Sequence, residues 1–226
     1  MSVSPLDNPI WEALASGHGR FAQGQHGVAR YPREVAPFLG VATPETPIAA
    51  AIETLVEPQE SVYLLGVAPA QPDGWRLQHL AQLAQMVCMQ PLREVEGPSL
   101  VALGPDHHAD VLVLTALVYP HYFRPRAVEL GRYFGIYQDG QLAAMIGERM
   151  ATDTCTEISA VCTHPDFNGR GHARRLLAWL TNDLLRRGRA PFLHVSHANE
   201  RAKALYERCG YQHRRDIPFW SLQRCG

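Results

Sequence analysis

Apolar and polar positions change rhythm along the chain, and the clearest patterns lie in its second half. Arg132 to Gln138 and Gln141 to Met150 flank Asp139-Gly140, the strongest short hairpin signal, because a type I′ turn needs positive φ at both central residues. Glu157-Ile158-Ser159-Ala160-Val161-Cys162-Thr163 follows as a mostly apolar, β-branched run closed by His164-Pro165, which predicts a buried strand. Over 171–187 the period becomes helical: Ala173, Leu176, Leu177, Leu180 and Leu184 fall on one face, and Gly188 stands where a helix stops. Phe192 to Ser196 reads as a short strand. Asn199 is placed to cap a helix that runs to about Arg208 and stops at Gly210, and Tyr211 begins a last strand.

Upstream the pattern is weaker. Ile48 to Val56 reads as a helix and Ser61 to Ala68 as a strand, while Trp75 to Gln90 fits helix and strand equally well. Leu100 to Leu103 is a short apolar run that opens a new sheet, and Asp106 is placed to cap a helix through about Leu117. Fourteen of the 17 prolines fall in residues 1–130, so the first half is loop-rich. Strands interleaved with helices in this way predict a mixed sheet with helices, an α/β or α+β protein.

Composition narrows the class. The 226 residues suffice for one large domain or two small ones, and 46% hydrophobic with 19% charged residues excludes a disordered, collagen-like or coiled-coil chain. The longest apolar stretch, Val111 to Val118 with one Thr inside it, is far short of the roughly 20 residues of a membrane helix. No basic region followed by an apolar one opens the chain, so a soluble, unexported protein is expected. Cys88, Cys155, Cys162, Cys209 and Cys225 form an odd set without CxxC spacing, which reads as reduced cytosolic thiols. Of the histidines, the adjacent His107 and His108 and the pair His194 and His197 invite a metal reading. A strand over 192–196 sends His194 and His197 to opposite faces, and no HExxH or carboxylate partner accompanies either pair, so no metal is expected.

The formal charge of −1 excludes gross attraction to nucleic acid or membrane. It is an average of opposites: residues 1–163 hold nine Arg against 17 acids, or −8, and residues 164–226 hold 11 Arg and one Lys against five acids, or +7. An Arg-rich last quarter is either a solvated helix face or the seat of an anionic ligand. The segment Asn168-Gly169-Arg170-Gly171-His172-Ala173 favours the ligand. Two glycines let the backbone turn tightly between a strand and an amphipathic helix whose first N–H groups are free, an arrangement that binds phosphate. Arg170, Arg174 and Arg175 stand where side-chain cations oppose the helix dipole, a mismatch that an anion repairs. The string lacks the GK[ST] ending of a P-loop and reads GxGxxR where a dinucleotide site needs GxGxxG.

Taken with Ala160-Val161-Cys162-Thr163-His164-Pro165 and the later Asn199-x-x-Ala202-x-x-x-Tyr206-x-x-x-Gly210-Tyr211, this loop resembles the acetyl-CoA site of the GNAT superfamily of N-acyltransferases. The resemblance spans about residues 100–222 and is strongest over 155–211; Asn168 stands where the family has Arg or Gln. It implies a mostly antiparallel, twisted mixed sheet flanked by helices, over residues 99–226. Residues 1–98 form an N-terminal α/β lobe without a cofactor motif: a degenerate second half of the same scaffold, an acceptor-binding lobe or a dimerisation element.

Carried over by position, the resemblance implies that the backbone of Val161, Cys162 and Thr163 pairs with the pantetheine arm. The amides from Gly169 through Arg170, Gly171, His172 and Ala173 to Arg174 cradle the pyrophosphate. Asn199 bonds the CoA arm, and Tyr206 is the general acid for the departing thiolate. An acceptor amine near pKa 10 must first lose a proton. Glu157, sharing its strand face with Ser159, Val161 and Thr163, is the first candidate base, directly or through water, and Glu148 the second. GxSxG is absent, and Cys162 alternates away from Glu157, so direct attack in a ternary complex is the simpler mechanism. The expected activity is acetyl transfer from acetyl-CoA to a primary amine, small molecule or peptide; the alternative is a CoA-binding sensor that has lost chemistry. The −8 of the rest of the chain suggests a cationic acceptor.

Overall fold

The computed structural model describes residues 4–118 and 123–225. In chain order its helices are α1 (Pro9–Ala15), α2 (Ala49–Leu55), α3 (His108–Val118), α4 (His172–Arg186) and α5 (Glu200–Arg208). The strands are β1 (Gln23–Gln25), β2 (Val28–Arg30), β3 (Leu39–Val41), β4 (Ser61–Leu65), β5 (Trp75–Val87), β6 (Val101–Leu103), β7 (Tyr133–Gln138), β8 (Gln141–Ala151), β9 (Cys155–Thr163), β10 (Ala190–Ser196) and β11 (Gln212–Arg224).

The first three strands make a small antiparallel sheet; the rest form one eight-stranded sheet in the order β4-β11-β5-β10-β9-β8-β7-β6. All neighbours are antiparallel except β9 and β10. Local chemistry explains the elements that the sequence predicts. Asp139 and Gly140 both take positive φ, 52° and 76°, and Gln138 faces Gln141 across the turn. Leu176, Leu177, Leu180 and Leu184 of α4 are buried against Ile146, Ile158 and Leu193 of the sheet, each such side chain contributing about 2 kcal/mol.

Trp75 to Val87, ambiguous by period, is a 13-residue strand paired with β11 along its length and with β10 over Leu83–Val87. The main sheet therefore draws strands from both ends of the chain. The helix expected from Asp106 begins at His108 instead. Gly104 caps a 3₁₀ turn over Pro105–His107, and its N–H donates to His107 Nδ1 at 3.1 Å, so Asp106 lies inside the turn rather than at the cap. Helices α4 and α5 cover one face of the sheet. The other face is covered by α1 and the segment 31–38 around Met150 and Cys155, and by α3 around Met145 and Cys162.

Candidate active site

Strand pairing places the site. Strands β9 and β10 run parallel and meet only over Cys155–Glu157 and Ala190–Phe192. Beyond Glu157 the two part: β9 continues to Thr163 paired with β8 alone, while Leu193 to Ser196 of β10 pair with β5. The carboxyl ends of two adjacent parallel strands thus enclose a V-shaped cleft, the position at which open sheets bind ligands. One edge of β9 within the cleft carries N–H and C=O groups with no neighbouring strand.

A bulge interrupts β9 inside this cleft. Met145 faces Cys162 and Gly147 faces Ser159, so three steps on β9 oppose two on β8. Ala160 takes φ 51°, a left-handed conformation that costs a non-glycine residue of order 1–3 kcal/mol and persists where the surroundings enforce it. The extra residue corrects the simple alternation expected of this strand. Val161 packs with Ile158 under α4, whereas Ala160 and Cys162 pack under α3. Cys162 is on the side of Glu157 and Ser159, and Val161 is not. Burial pushes the Cys162 thiol up to about 12, which leaves it protonated and unreactive.

At the mouth of the cleft, Gly171 caps α4 in the left-handed conformation with no side-chain hydrogen bond, and Gly169 has the same φ of 79°. No atom lies within 4 Å of where a Cβ would stand at either residue, so the loop is open to solvent. Arg175 is the first residue of the helix whose N–H bonds back, to the Gly171 carbonyl at 3.0 Å. The amides before it form a positive, uncapped helix end.

The arginines divide their work. Arg170 lies 4.8 Å over the Phe167 ring and donates to the Asp166 carbonyl, and Arg174 is exposed beside the loop. Arg175 instead donates to the carbonyls of Pro98 and Val95, tying the chain before β6 to α4. Arg201 of α5 donates to Asn168 Oδ1 at 3.1 Å, which links the glycine loop to α5. His172 turns inward, 4% exposed, and bonds Gln138 at 3.0 Å; burial and then Arg170 lower its pKa. Only its backbone can serve a ligand at the loop.

Asn199 caps α5, its Oδ1 accepting from Ala202 N–H at 3.1 Å. Tyr206 lies two turns further on the same helix, 8% exposed, packed with Leu193, Val195 and Tyr211 on the α4 side of the sheet. Glu148 accepts from the Arg132 backbone and guanidinium and lies away from the cleft mouth at the α4 C-terminus, near Arg187.

Glu157 occupies the apex of the V and is fully buried. Arg149 Nε donates to its Oε2 at 2.8 Å and Arg149 Nη2 to its Oε1 at 2.6 Å; His194 Nδ1 donates to Oε1 at 2.7 Å. Burial pushes the carboxyl up, but the Arg149 charge and these hydrogen bonds outweigh it and hold the pKa at about 2. The His194 tautomer follows from its far side. Gln85 Nε2 donates to His194 Nε2 at 2.9 Å and to the Leu6 carbonyl, and Gln85 Oε1 accepts from Arg214, which fixes the amide orientation. His194 therefore carries its proton on Nδ1. Carboxylate partners for His194 and His197 do exist, Glu157 and Asp216, contributed by distant strands that sequence spacing does not reveal. No cluster of three metal-ligating side chains forms among the described residues.

Arg149 and Gln85 are functional candidates absent from the sequence reading, and His194 entered it only as a metal candidate, not as a partner of Glu157. Each sits on a strand as one more polar residue in an alternating run. Only the pairing of β8, β9, β10 and β5 brings them to one carboxylate.

Residues 133–220 match the family described as FR47-like protein. The fold is similar to that of a GNAT-family protein from Novosphingobium aromaticivorans, at 30% identity and a TM-score of 0.90, over 99% of this chain and 100% of that one. A GCN5-related N-acetyltransferase from Kribbella flavida is similar at 17% identity and a TM-score of 0.65, over 96% and 95% of the two chains. A GCN5-related N-acetyltransferase-like protein from Streptococcus suis aligns over 92% of each chain at 17% identity, with a TM-score of 0.56. No curated protein sequence matches significantly.

Proposed function

The chain belongs to the GNAT superfamily of acyltransferases, and from that premise we propose that it transfers an acetyl group from acetyl-CoA to a primary amine by direct attack in a ternary complex. The observation that carries the reading is the divergence of β9 and β10 beside a strained bulge, with an uncapped glycine-rich helix start at the mouth of the same cleft. Acetyl-CoA brings an acyl group already activated as a thioester. The residues present suit it. Both glycines leave open space where side chains would intrude, and the amides from Gly169 to Arg174 offer donors to a pyrophosphate. The backbone of Val161, Cys162 and Thr163 offers a strand edge to the pantetheine arm. Asn199 caps α5 through Oδ1 and so fixes the position of Tyr206, and its Nδ2 group is the proposed donor to the CoA arm.

Tyr206 is the proposed general acid, giving its hydroxyl proton to the leaving thiolate. Glu157 takes a different part from the base expected of it. At a pKa of about 2 it is ionised at every working pH, yet each unit below the donor makes proton transfer to it about 1.36 kcal/mol harder. With no exposure and its oxygens held by Arg149 and His194, it acts as a fixed anion that orients these two groups at the cleft apex. Water then carries the amine proton away.

Calorimetric titration with acetyl-CoA, followed by free-thiol release with a panel of amines, tests the reading. Wild type binds and turns over, and Gly171→Val, which forces a β-branched residue to φ 79°, loses binding. Binding without turnover on any amine would favour the sensor; no binding would refute both.

A further inference from the structure

A cavity of about 20 Å³ lies against the bulge residues Ser159 and Ala160, on the sheet face away from α4. Val35, Ala36 and Phe38 from the N-terminal hundred residues line it together with Leu130, with which they share one apolar cluster. Its volume admits one or two water-sized groups.

The lining is apolar apart from three groups. The Tyr133 hydroxyl donates to the Ala127 carbonyl at 3.3 Å. Arg149, 5.3 Å over the Phe38 ring, is paired through two hydrogen bonds with Glu157. Ser159 adds a neutral hydroxyl. A charged group entering here would shed its water and meet a guanidinium whose charge is already balanced. A small hydrocarbon group would bury apolar surface and displace at most a water or two.

Resting on the acetyl-transfer reading above, we propose that this cavity selects the acceptor, and that it takes an uncharged aliphatic group of one or two carbons carried beside the reacting amine. The N-terminal lobe then sets acceptor specificity, through Val35, Ala36 and Phe38. None of the acids behind the −8 of residues 1–163 lines this cavity, so the lining calls for no cation at this position.

The test is a series of amino-acid amides assayed for free CoA release: glycinamide, alaninamide, 2-aminobutyramide, leucinamide, lysinamide and isoglutamine. Alaninamide and 2-aminobutyramide should give the highest kcat/KM, with lysinamide and isoglutamine below glycinamide. Ala36→Leu fills the cavity and should lower the alaninamide-to-glycinamide ratio about tenfold; Leu130→Ala enlarges it and should raise the leucinamide-to-alaninamide ratio by a similar factor. Circular dichroism confirms folding, and either variant suffices if the other does not fold. Preference for a charged side group, or ratios unmoved in the folded variants, would reduce the cavity to a packing void. Acetyl-CoA bound with no member of the series acetylated would also overturn the proposal. Failure of acetyl-CoA to bind would instead bring down the wider reading, and this one with it.

Discussion

Replacing Glu157 by Gln keeps the shape of the side chain and removes its charge. In the native protein the carboxylate is fully buried and the Arg149 side chain is 19% exposed, so the variant leaves a largely buried guanidinium without its counter-ion. Two lines of reasoning give the magnitude. The depression of the Glu157 pKa from 4.5 to about 2 corresponds to about 3 kcal/mol at 1.36 kcal/mol per unit, and removing one partner of a buried pair costs about 3–5 kcal/mol. Urea unfolding at pH 7 should therefore show Glu157→Gln less stable by about 3 kcal/mol. Arg149→Met should cost a comparable amount, and the double variant Glu157→Leu/Arg149→Met less than the sum of the single ones, because an apolar pair needs no counter-charge. A depressed folded pKa contributes stability above the unfolded value of 4.5 that is lost as pH falls towards 2. The gap between wild type and Glu157→Gln should accordingly close over that window. A difference below about 1 kcal/mol at pH 7, or one that does not change with pH between 4.5 and 2, would refute the account of the cleft apex.

Three further outcomes are expected. Burial lowers the His18 pKa to about 4, with Nδ1 3.0 Å from the Tyr31 hydroxyl. The unfolded chain then binds the proton first, and about 3 kcal/mol of stability should drain away as pH falls from 6.5 to 4; His18→Phe should flatten that part of a pH series of urea titrations. Tyr206→Phe should lower turnover about a hundredfold while calorimetry shows acetyl-CoA binding retained, and unchanged turnover would remove Tyr206 from the acid role. A fragment of residues 99–226 lacks β4 and β5, leaving edges of β10 and β11 unpaired, and should aggregate on size-exclusion chromatography; a monomeric, cooperatively folding fragment would show that the second half is self-sufficient.

Elements governed by their own residues were legible in the sequence. The Asp139-Gly140 hairpin, the leucine face of α4, the Asn199 cap and the glycine loop each depend on neighbours within a few positions. What stayed hidden depends on distant pairing. Trp75 to Val87 shows no clean alternation because it is mostly exposed from Arg76 to Leu80 and buried on both faces over Ala84 to Met86. The bulge at Ala160 has no glycine to announce it, and it moves Cys162 to the side of Glu157. Glu157 was visible as a carboxylate on the right strand. Its partners Arg149 and His194, and Gln85 behind His194, come from three other strands, so its ionic pairing belongs to the sheet rather than to any local motif.

The arginine-rich last quarter looks different once its contacts are known. Arg189 donates to the carbonyls of Thr152, Asp153 and Cys155, Arg214 and Arg215 hold Asp7, and Arg224 holds Glu53. Three of the arginines thus stitch the end of the chain to its beginning, Arg189 ties the start of β10 to the β8–β9 turn, and Arg170 and Arg174 lie beside the loop.

The position of β5 also governs how the protein is made. Strand β5 is complete at residue 87, but β10 begins at residue 190 and β11 ends at residue 224. At ribosomal rates of about 5–20 residues per second, its two partners emerge on the order of ten seconds later. During that interval a 13-residue strand leaves the ribosome with both edges open, a template for pairing with other nascent chains. Slow translation or crowding on polysomes should therefore harm the yield of this protein more than its final stability would suggest, and a chaperone that shields residues 75–87 should restore it.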